Sequence, residues 1–284
     1  MTLSAVEVVR SGPIGTIRIK PVQETIEESI GVAGYVEVHL AVAQALEELR
    51  WDDTVRIVVL TGQRDGQFHV APAPDHYDEP SHRNRLNPLT WKRGPWSRTN
   101  GSRRAIEALV LTEKPVIARL NGDAIGFGQS LMFGCDLIVA REDAVISDVH
   151  MGLGEVTDHT GARRGFPFGL VPGDGALAFV PVSLPPTKAK EYLFLAKSYT
   201  ARELAAMNIV NYAVPMEELD AVLDDLTGQL LARPARALAM TKRACNKHII
   251  NQWNLAFELG LSWEEQNLFT HGRDGWVNDS SFED

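Results

Sequence analysis

One run, NGDAIGFGQSLMFGCDLIVA (Asn121–Ala140), constrains the fold of this chain more than any other. It opens on an Asn-Gly turn pair, continues through closely spaced Gly126 and Gly128, and reaches the apolar residues Leu131, Met132 and Phe133. Leu137–Ala140 closes it with the β-branched content of a buried strand. Glycines lack a Cβ, so backbone amides beside them can approach a ligand closely, and a helix starting behind such a loop presents N–H groups at its first turn. The run therefore reads in two ways: as a turn between core elements, or as a cradle for a developing oxyanion.

The surrounding pattern predicts a wound α/β fold. Val6–Val9 and Ile14–Lys20 read as strands joined around Ser11-Gly12-Pro13, and residues 21–34, without a clear period, as loop. Val36, Leu40, Ala43, Leu46 and Leu49 share one face of a helix over Val36–Arg50. Arg56–Gly62, RIVVLTG, is a continuous apolar strand of a sheet covered on both faces. A helix over Ser102–Leu111, capped by Ser102, and strands over Pro115–Leu120 and Ala144–Ser147 extend the alternation. Helices follow over Lys188–Leu195, Thr200–Met207 and Leu219–Leu231, with a last strand over Asn208–Val214. Thr200 and Glu203 stand in capping-box spacing, and Ala235–Leu268 reads as strongly helical behind Pro234.

At 284 residues the chain can bury one large core, alone or with a helical appendage. Hydrophobic content of 44% and charged content of 23% are those of an ordinary globular protein, and a net charge of -9 argues against nucleic acid or an anionic membrane as partner. With no secretory signal and no long apolar span, a cytoplasmic location is expected. Cys135 and Cys245, far apart in apolar or helical patterns, read as reduced core thiols.

Two segments interrupt the pattern. Residues 63–100 hold five prolines, three histidines and two tryptophans, and read as a loop that lines or covers a site. Residues 148–179 combine glycine-rich loop with His150, His159 and three aspartates. The histidines stand without ligand spacing to suggest a metal, and none is expected.

Several motifs in register carry a family resemblance: RIVVLTG with QFHVAPAPD, KPVIARLNGDAIGFGQSLMFGCDLIVA, GLVPGDGA, and YTARELAAMNIVNYAVP. Together they resemble the crotonase (enoyl-CoA hydratase/isomerase) superfamily from about Val6 to Leu268. The resemblance implies a crotonase-like ββα spiral core over residues 1–215, a C-terminal helical trimerisation region over 216–284, and trimers or dimers of trimers. It does not fix a reaction, because this fold hosts many. The Asn-Arg-Pro segment that helps hold coenzyme A in the family is not visible in IRIKPVQETIEES. Ser130 stands where hydratases carry one glutamate, and His150 near where they carry the second.

FPFGLVPGDGA and LGLSWEE instead resemble the β-diketone hydrolase branch represented by 6-oxocamphor hydrolase, whose members cleave carbon–carbon bonds without coenzyme A. That resemblance implies a histidine acting with Asp174 and Glu264. The histidine is His150 if residues 151–164 are an insertion, with His159 as the alternative. Backbone amides of Phe127 and of one residue in the Ala71–Ala73 stretch would form the oxyanion hole; Pro72 and Pro74 have no N–H, and Ala73 is the residue taken. His69, Phe166, Phe168 and Trp263 would line the substrate pocket.

Retro-Claisen cleavage needs a group to activate water, and a histidine near neutrality can take and return a proton. A carboxylate on its other nitrogen, Glu264 or Asp174, would fix the tautomer. The expectation is a cofactor-free hydrolase of a small carbonyl substrate. Two further readings stand beside it: a coenzyme A thioester hydratase or isomerase using Asp174 and Glu264 as acid and base, and a non-catalytic scaffold. Each residue also has a plainer role: Asp174 as a helix cap, Glu264 as part of a solvated face, the histidines as ordinary loop residues.

Overall fold

The computed structural model describes residues 5–21, 33–77 and 96–273, with side chains over 5–21, 38–75 and 101–267. Part of the IRIKPVQETIEES segment and residues 78–95 of the 63–100 loop therefore lie outside the described residues, as does most of the loop expected over 21–34.

The chain builds by passing repeatedly between two sheets. β1 (Val6–Ser11) and β2 (Ile14–Ile19) form an antiparallel hairpin. α1 (Ala33–Trp51) then leads to β3 (Ile57–Gly62), which pairs in parallel with β2 and crosses directly into β4 (Gly66–His69) of the second sheet. α2 (Trp96–Leu111) returns the chain to β5 (Val116–Leu120), β6 (Gly122–Ile125) and α3 (Phe127–Gly134). β7 (Leu137–Arg141) and β8 (Val145–Ser147) repeat the crossing. β11 (Tyr199–Thr200) and β12 (Tyr212–Val214) complete the sheets, ordered β1-β2-β3-β5-β7-β12 and β11-β8-β6-β4, with a separate small hairpin of β9 (Val156–Thr157) and β10 (Arg163–Arg164). Two strands and a helix thus make the repeating unit.

Each corner between the sheets is tight. Asn121 sits at the β5–β6 corner, accepting from the Gly62 amide at 3.0 Å and donating to the Gly62 and Arg64 carbonyls at 3.2 and 2.6 Å. A Cβ at Gly122 would overlap the Gly66 backbone, so only glycine lets these two corners meet. Every residue of β3 is buried, as its uninterrupted apolar run requires.

The C-terminal part is helical: α4 (Ala176–Ser183), α5 (Pro186–Phe194) and α6 (Ala201–Ala206) precede α7 (Leu219–Leu231), α8 (Ala235–Gln252) and α9 (Glu258–Arg273). Thr200 and Glu203 form the expected capping box. The segment from Ala235 is helical as expected, with a π-helical turn, Trp253–Phe257, between α8 and α9. Ser102 does not cap α2, which begins six residues earlier; its hydroxyl lies inside the helix packing, 2.9 Å from His39 Nδ1. Both cysteines are free, but Cys245 is exposed, so only Cys135 behaves as a core thiol, its pKa pushed up by burial. No helix among the described residues is long and apolar enough to cross a membrane.

Candidate active site

Gly126 begins the site. Its φ of 70° is a left-handed conformation that costs a residue with a Cβ about 1–2 kcal/mol. Its amide is bonded to the Ser147 carbonyl at 3.0 Å, which ties the start of α3 to β8. Phe127 is the first residue of α3, where N–H groups point outward from the helix start. Its ring is buried against His39 and meets His69 edge-on, with centroids 3.8 and 6.0 Å away. A Cβ at Gly128 would overlap the His69 carbonyl, so this glycine lets α3 dock on the end of β4. Beyond β4, the Ala71 amide is consumed by the Ile125 carbonyl at 3.0 Å. With Pro72 and Pro74 lacking N–H groups, elimination leaves Ala73 as the amide this stretch can offer.

The loop after β8 carries SDVH. Asp148 Oδ1 accepts from the His150 backbone N–H at 2.9 Å, a local turn that folds the imidazole back onto the same carboxylate. His150 Nδ1 lies 3.0 and 3.1 Å from the two Asp148 oxygens. Carboxylates only accept, so Nδ1 carries a proton and Nε2 faces the other way. There, Nε2 stands 3.9 Å from Asp174 Oδ2 and 3.8 Å from Glu264 Oε1. Four groups from three distant parts of the chain thus meet, and all are buried.

Asp174 arrives on the glycine-rich turn before α4, and Glu264 on α9. The two approach because Gly173 and Gly260 are bare: a Cβ on Gly173 would lie 2.6 Å from the Gly260 carbonyl and 2.7 Å from Glu264 Oε2. Asp174 does not cap α4, whose N-cap is Gly175 without any side-chain cap bond; its Oδ1 accepts from Ser130 at 2.9 Å. Glu264 is not on a solvated face, being only 3% exposed. His150 is not an ordinary loop histidine either.

The electrostatics are lopsided. Burial works against a charged His150, yet the Asp148 and Asp174 charges outweigh it and hold the imidazole well above its usual range, as a cation. Burial, with Glu264 and Asp148 nearby, lifts Asp174 to about 6, against the pull of His150. A histidine titrating near neutrality was the expectation from sequence; three carboxylates around one ring are why it does not. Asp148, His150 and Asp174 also bring one ligand atom each within 4.8 Å of one another. Asp148 and Asp174 face opposite ring nitrogens, however: Nδ1 is hydrogen-bonded to Asp148, while Nε2 stands 3.9 Å from Asp174 on the far side of the ring, so the imidazole separates the two carboxylates.

The Phe166 ring lies tilted against His150, centroids 5.7 Å apart, and Phe168 packs behind it at 5.6 Å, so Phe166 walls the cluster and Phe168 backs it. His69 is buried and pushed down to about 3 by desolvation, which keeps it neutral beside Phe127. Two expected site residues are placed elsewhere. His159 is held by Asp123 at the start of β6, through its backbone N–H at 2.8 Å and Nδ1 at 2.6 Å. Trp263 is 48% exposed although its neighbour Glu264 is buried, because adjacent helical positions point about 100° apart. Residue type and pattern do not mark Gln129 as a site residue in the sequence, and they mark Asp148 only weakly. The Asp-x-His spacing in a non-helical loop was the signal for Asp148.

The sequence profile of the enoyl-CoA hydratase/isomerase family matches residues 37–271, and the chain belongs to that family, the crotonase superfamily. A crotonyl-CoA hydratase of Syntrophomonas wolfei is 32% identical over 144 residues, covering 51% of this chain and 48% of that protein. An enoyl-CoA hydratase/isomerase assignment in Bacillus subtilis is 28% identical over 162 residues, 56% of each chain. The chain thus spans about half the length of the curated relatives it matches. Among solved structures, an enoyl-CoA hydratase/isomerase from Mycobacterium paratuberculosis aligns with a TM-score of 0.76 at 21% identity, over 95% of both chains. A β-diketone hydrolase from the cyanobacterium Anabaena, bound to (S)-3-oxocyclohexyl acetic acid, aligns at 0.73 and 22% over 94% of both. At these identities the structural likenesses establish the fold, which is crotonase-like with mixed sheets and a C-terminal helical region.

Proposed function

We propose that this chain is a hydrolase that cleaves the carbon–carbon bond between two carbonyl groups of a small, cyclic β-diketone, without a cofactor. The observation that carries the reading is the placement of His150 Nε2 at 3.8 and 3.9 Å from Glu264 and Asp174. Those separations are too long for direct hydrogen bonds and suit one water bonded to all three groups. The Anabaena β-diketone hydrolase, with the same fold, supports it.

In this mechanism Asp174, with its pKa near 6, takes a proton from the water. The hydroxide adds to one ketone carbon, and the alkoxide sits against the Phe127 and Ala73 amides, each such donor being worth about 3 kcal/mol. The alkoxide collapses to a carboxylic acid as the bond to the central carbon breaks, and the electron pair leaves as an enolate. His150, cationic at the start, returns a proton to the enolate carbon; the Asp174 proton restores the imidazolium. The balance is diketone plus water giving one keto acid. The sign of the pH dependence follows: kcat/KM should rise as pH passes about 6, where Asp174 ionises, and fall in alkali as His150 loses its proton.

Coenzyme A thioester chemistry is the second reading, favoured by the hydratase names of the relatives. Against it, the motif resemblance sets Ser130 at one hydratase glutamate position and His150 near the other, which leaves Asp174 and Glu264 as its acid and base. Incubating the protein with cyclic 1,3-diketones and following loss of enolate absorbance, alongside crotonyl-CoA hydration, separates the two. Thioester turnover without diketone turnover would end the hydrolase proposal. The exposed Leu255, Leu259 and Trp263, four residues apart along the C-terminal helices, support assembly as a homotrimer or a dimer of trimers, since a second subunit would cover them. Light scattering checks this.

A further inference from the structure

Behind the cluster lies a second layer of buried polar groups that the mechanism above does not use. Gln129 and Ser130, both fully buried on α3, connect the carboxylates on the two sides of His150. Gln129 Nε2 lies 2.9 Å from Ser130 Oγ and 3.2 Å from Asp148 Oδ2, and Ser130 Oγ lies 2.9 Å from Asp174 Oδ1.

Counting protons fixes the direction of every bond. Carboxylates accept only, so the single Ser130 hydroxyl proton goes to Asp174. Ser130 must then accept, and its donor is Gln129 Nε2. The second proton on that nitrogen goes to Asp148. Turning the amide over would aim Oε1 at the Asp148 carboxylate and leave Ser130 between two acceptors. The Tyr192 hydroxyl, 3.5 Å from Oε1, faces the one remaining side of the amide.

We propose that Gln129 is the positioning residue of this site: one amide orients Asp148 directly and Asp174 through Ser130, and so sets both carboxylates that flank His150. The inference rests on the hydrolase reading for its kinetic consequence but not for its structural one. Asp174 is faced by His150 and Asp148 from the loop after β8, by Glu264 from α9, by Ser130 from α3, and by the Tyr192 phenol of α5 beyond Gln129. The Ser130 bond favours ionised Asp174, so loosening it raises the pH at which Asp174 gives up its proton.

The test uses Gln129→Met, which keeps length and apolar volume and deletes both donors. Nitrogen-15 histidine spectra, with the His150 signal assigned by its loss in His150→Gln, report the ring without any substrate. The expected result is a changed His150 signal, a kcat lowered about tenfold or more with KM within roughly threefold, and an acid limb moved to higher pH. A changed His150 signal in a protein that turns over no diketone supports the positioning role and ends only the hydrolase reading. A His150 signal and acid limb identical to those of the parent overturn the proposal. If Gln129→Met does not fold, Ser130→Ala severs the Asp174 branch alone; it should raise the acid limb, and an unmoved limb overturns the proposal equally.

Discussion

Two buried aspartates, Asp158 and Asp174, lie close in sequence and have opposite surroundings. Asp158, in the turn of the β9–β10 hairpin, accepts from the Thr160 amide and hydroxyl at 2.9 and 2.6 Å and from the Ala162 amide at 3.1 Å. Arg164 adds Nε at 2.9 Å and Nη2 at 2.6 Å. Burial alone would raise its pKa, but the Thr160 and Arg164 bonds prevail and hold it below the usual range. Asp174 has one hydroxyl and a shared imidazolium, with two further carboxylates nearby, and is lifted to about 6. One aspartate is satisfied and builds the fold. The other is left short of donors, which is how a carboxylate becomes a base near neutral pH.

Removing the shared cation has the largest expected effect. His150→Gln should lower kcat by a factor of about a thousand, in line with losses at acid–base centres that act as a unit, measured as diketone consumption. Asp174→Asn comes next, with kcat down about a hundredfold or more. The same variant should also be more stable. A carboxyl whose folded pKa is raised costs stability above that pKa and nothing below its unfolded value. Asp174→Asn should therefore gain on the order of 2 kcal/mol at about pH 8, and this gain should vanish below about pH 4 in denaturant titrations. A loss of stability at pH 8 would break the contrast with Asp158.

Gly126→Ala should cost about 1–2 kcal/mol through its positive φ and lower kcat about tenfold by shifting the Phe127 amide. Asp158→Ala should cost about 2 kcal/mol at neutral pH by leaving Arg164 buried without its partner. Because the folded pKa of Asp158 is lowered, that cost should shrink as pH falls through it, the reverse of Asp174→Asn. The acid limb of kcat/KM should stay where it is.

The sequence made the first sheet readable, because strands such as β3 and β5 are apolar at almost every position and flank amphipathic helices. Of the second sheet only β8, expected over Ala144–Ser147, is legible in the sequence. β4 and β6 are four residues each, begin with glycine, and depend on backbone approach across Gly62, Gly66 and Gly122 rather than on side-chain pattern. Ser102 hides the start of α2, because it resembles a cap while its hydroxyl bonds His39 across the helix packing. At the site, Asp174, Glu264 and His150 came from motif resemblance. Asp148 and Gln129 did not, since a loop aspartate and an amide in an apolar helix gain meaning only from what the fold sets beside them. His159 carried the same residue type as His150 and went to Asp123 instead.

The most direct test of the account is cleavage of a cyclic 1,3-diketone in oxygen-18-labelled water, followed by mass spectrometry of the product. The wild-type protein should form a ring-opened keto acid with one labelled oxygen in its new carboxylate, and His150→Gln should not. Intact diketone in every case, with crotonyl-CoA hydrated by the same preparation, would contradict it.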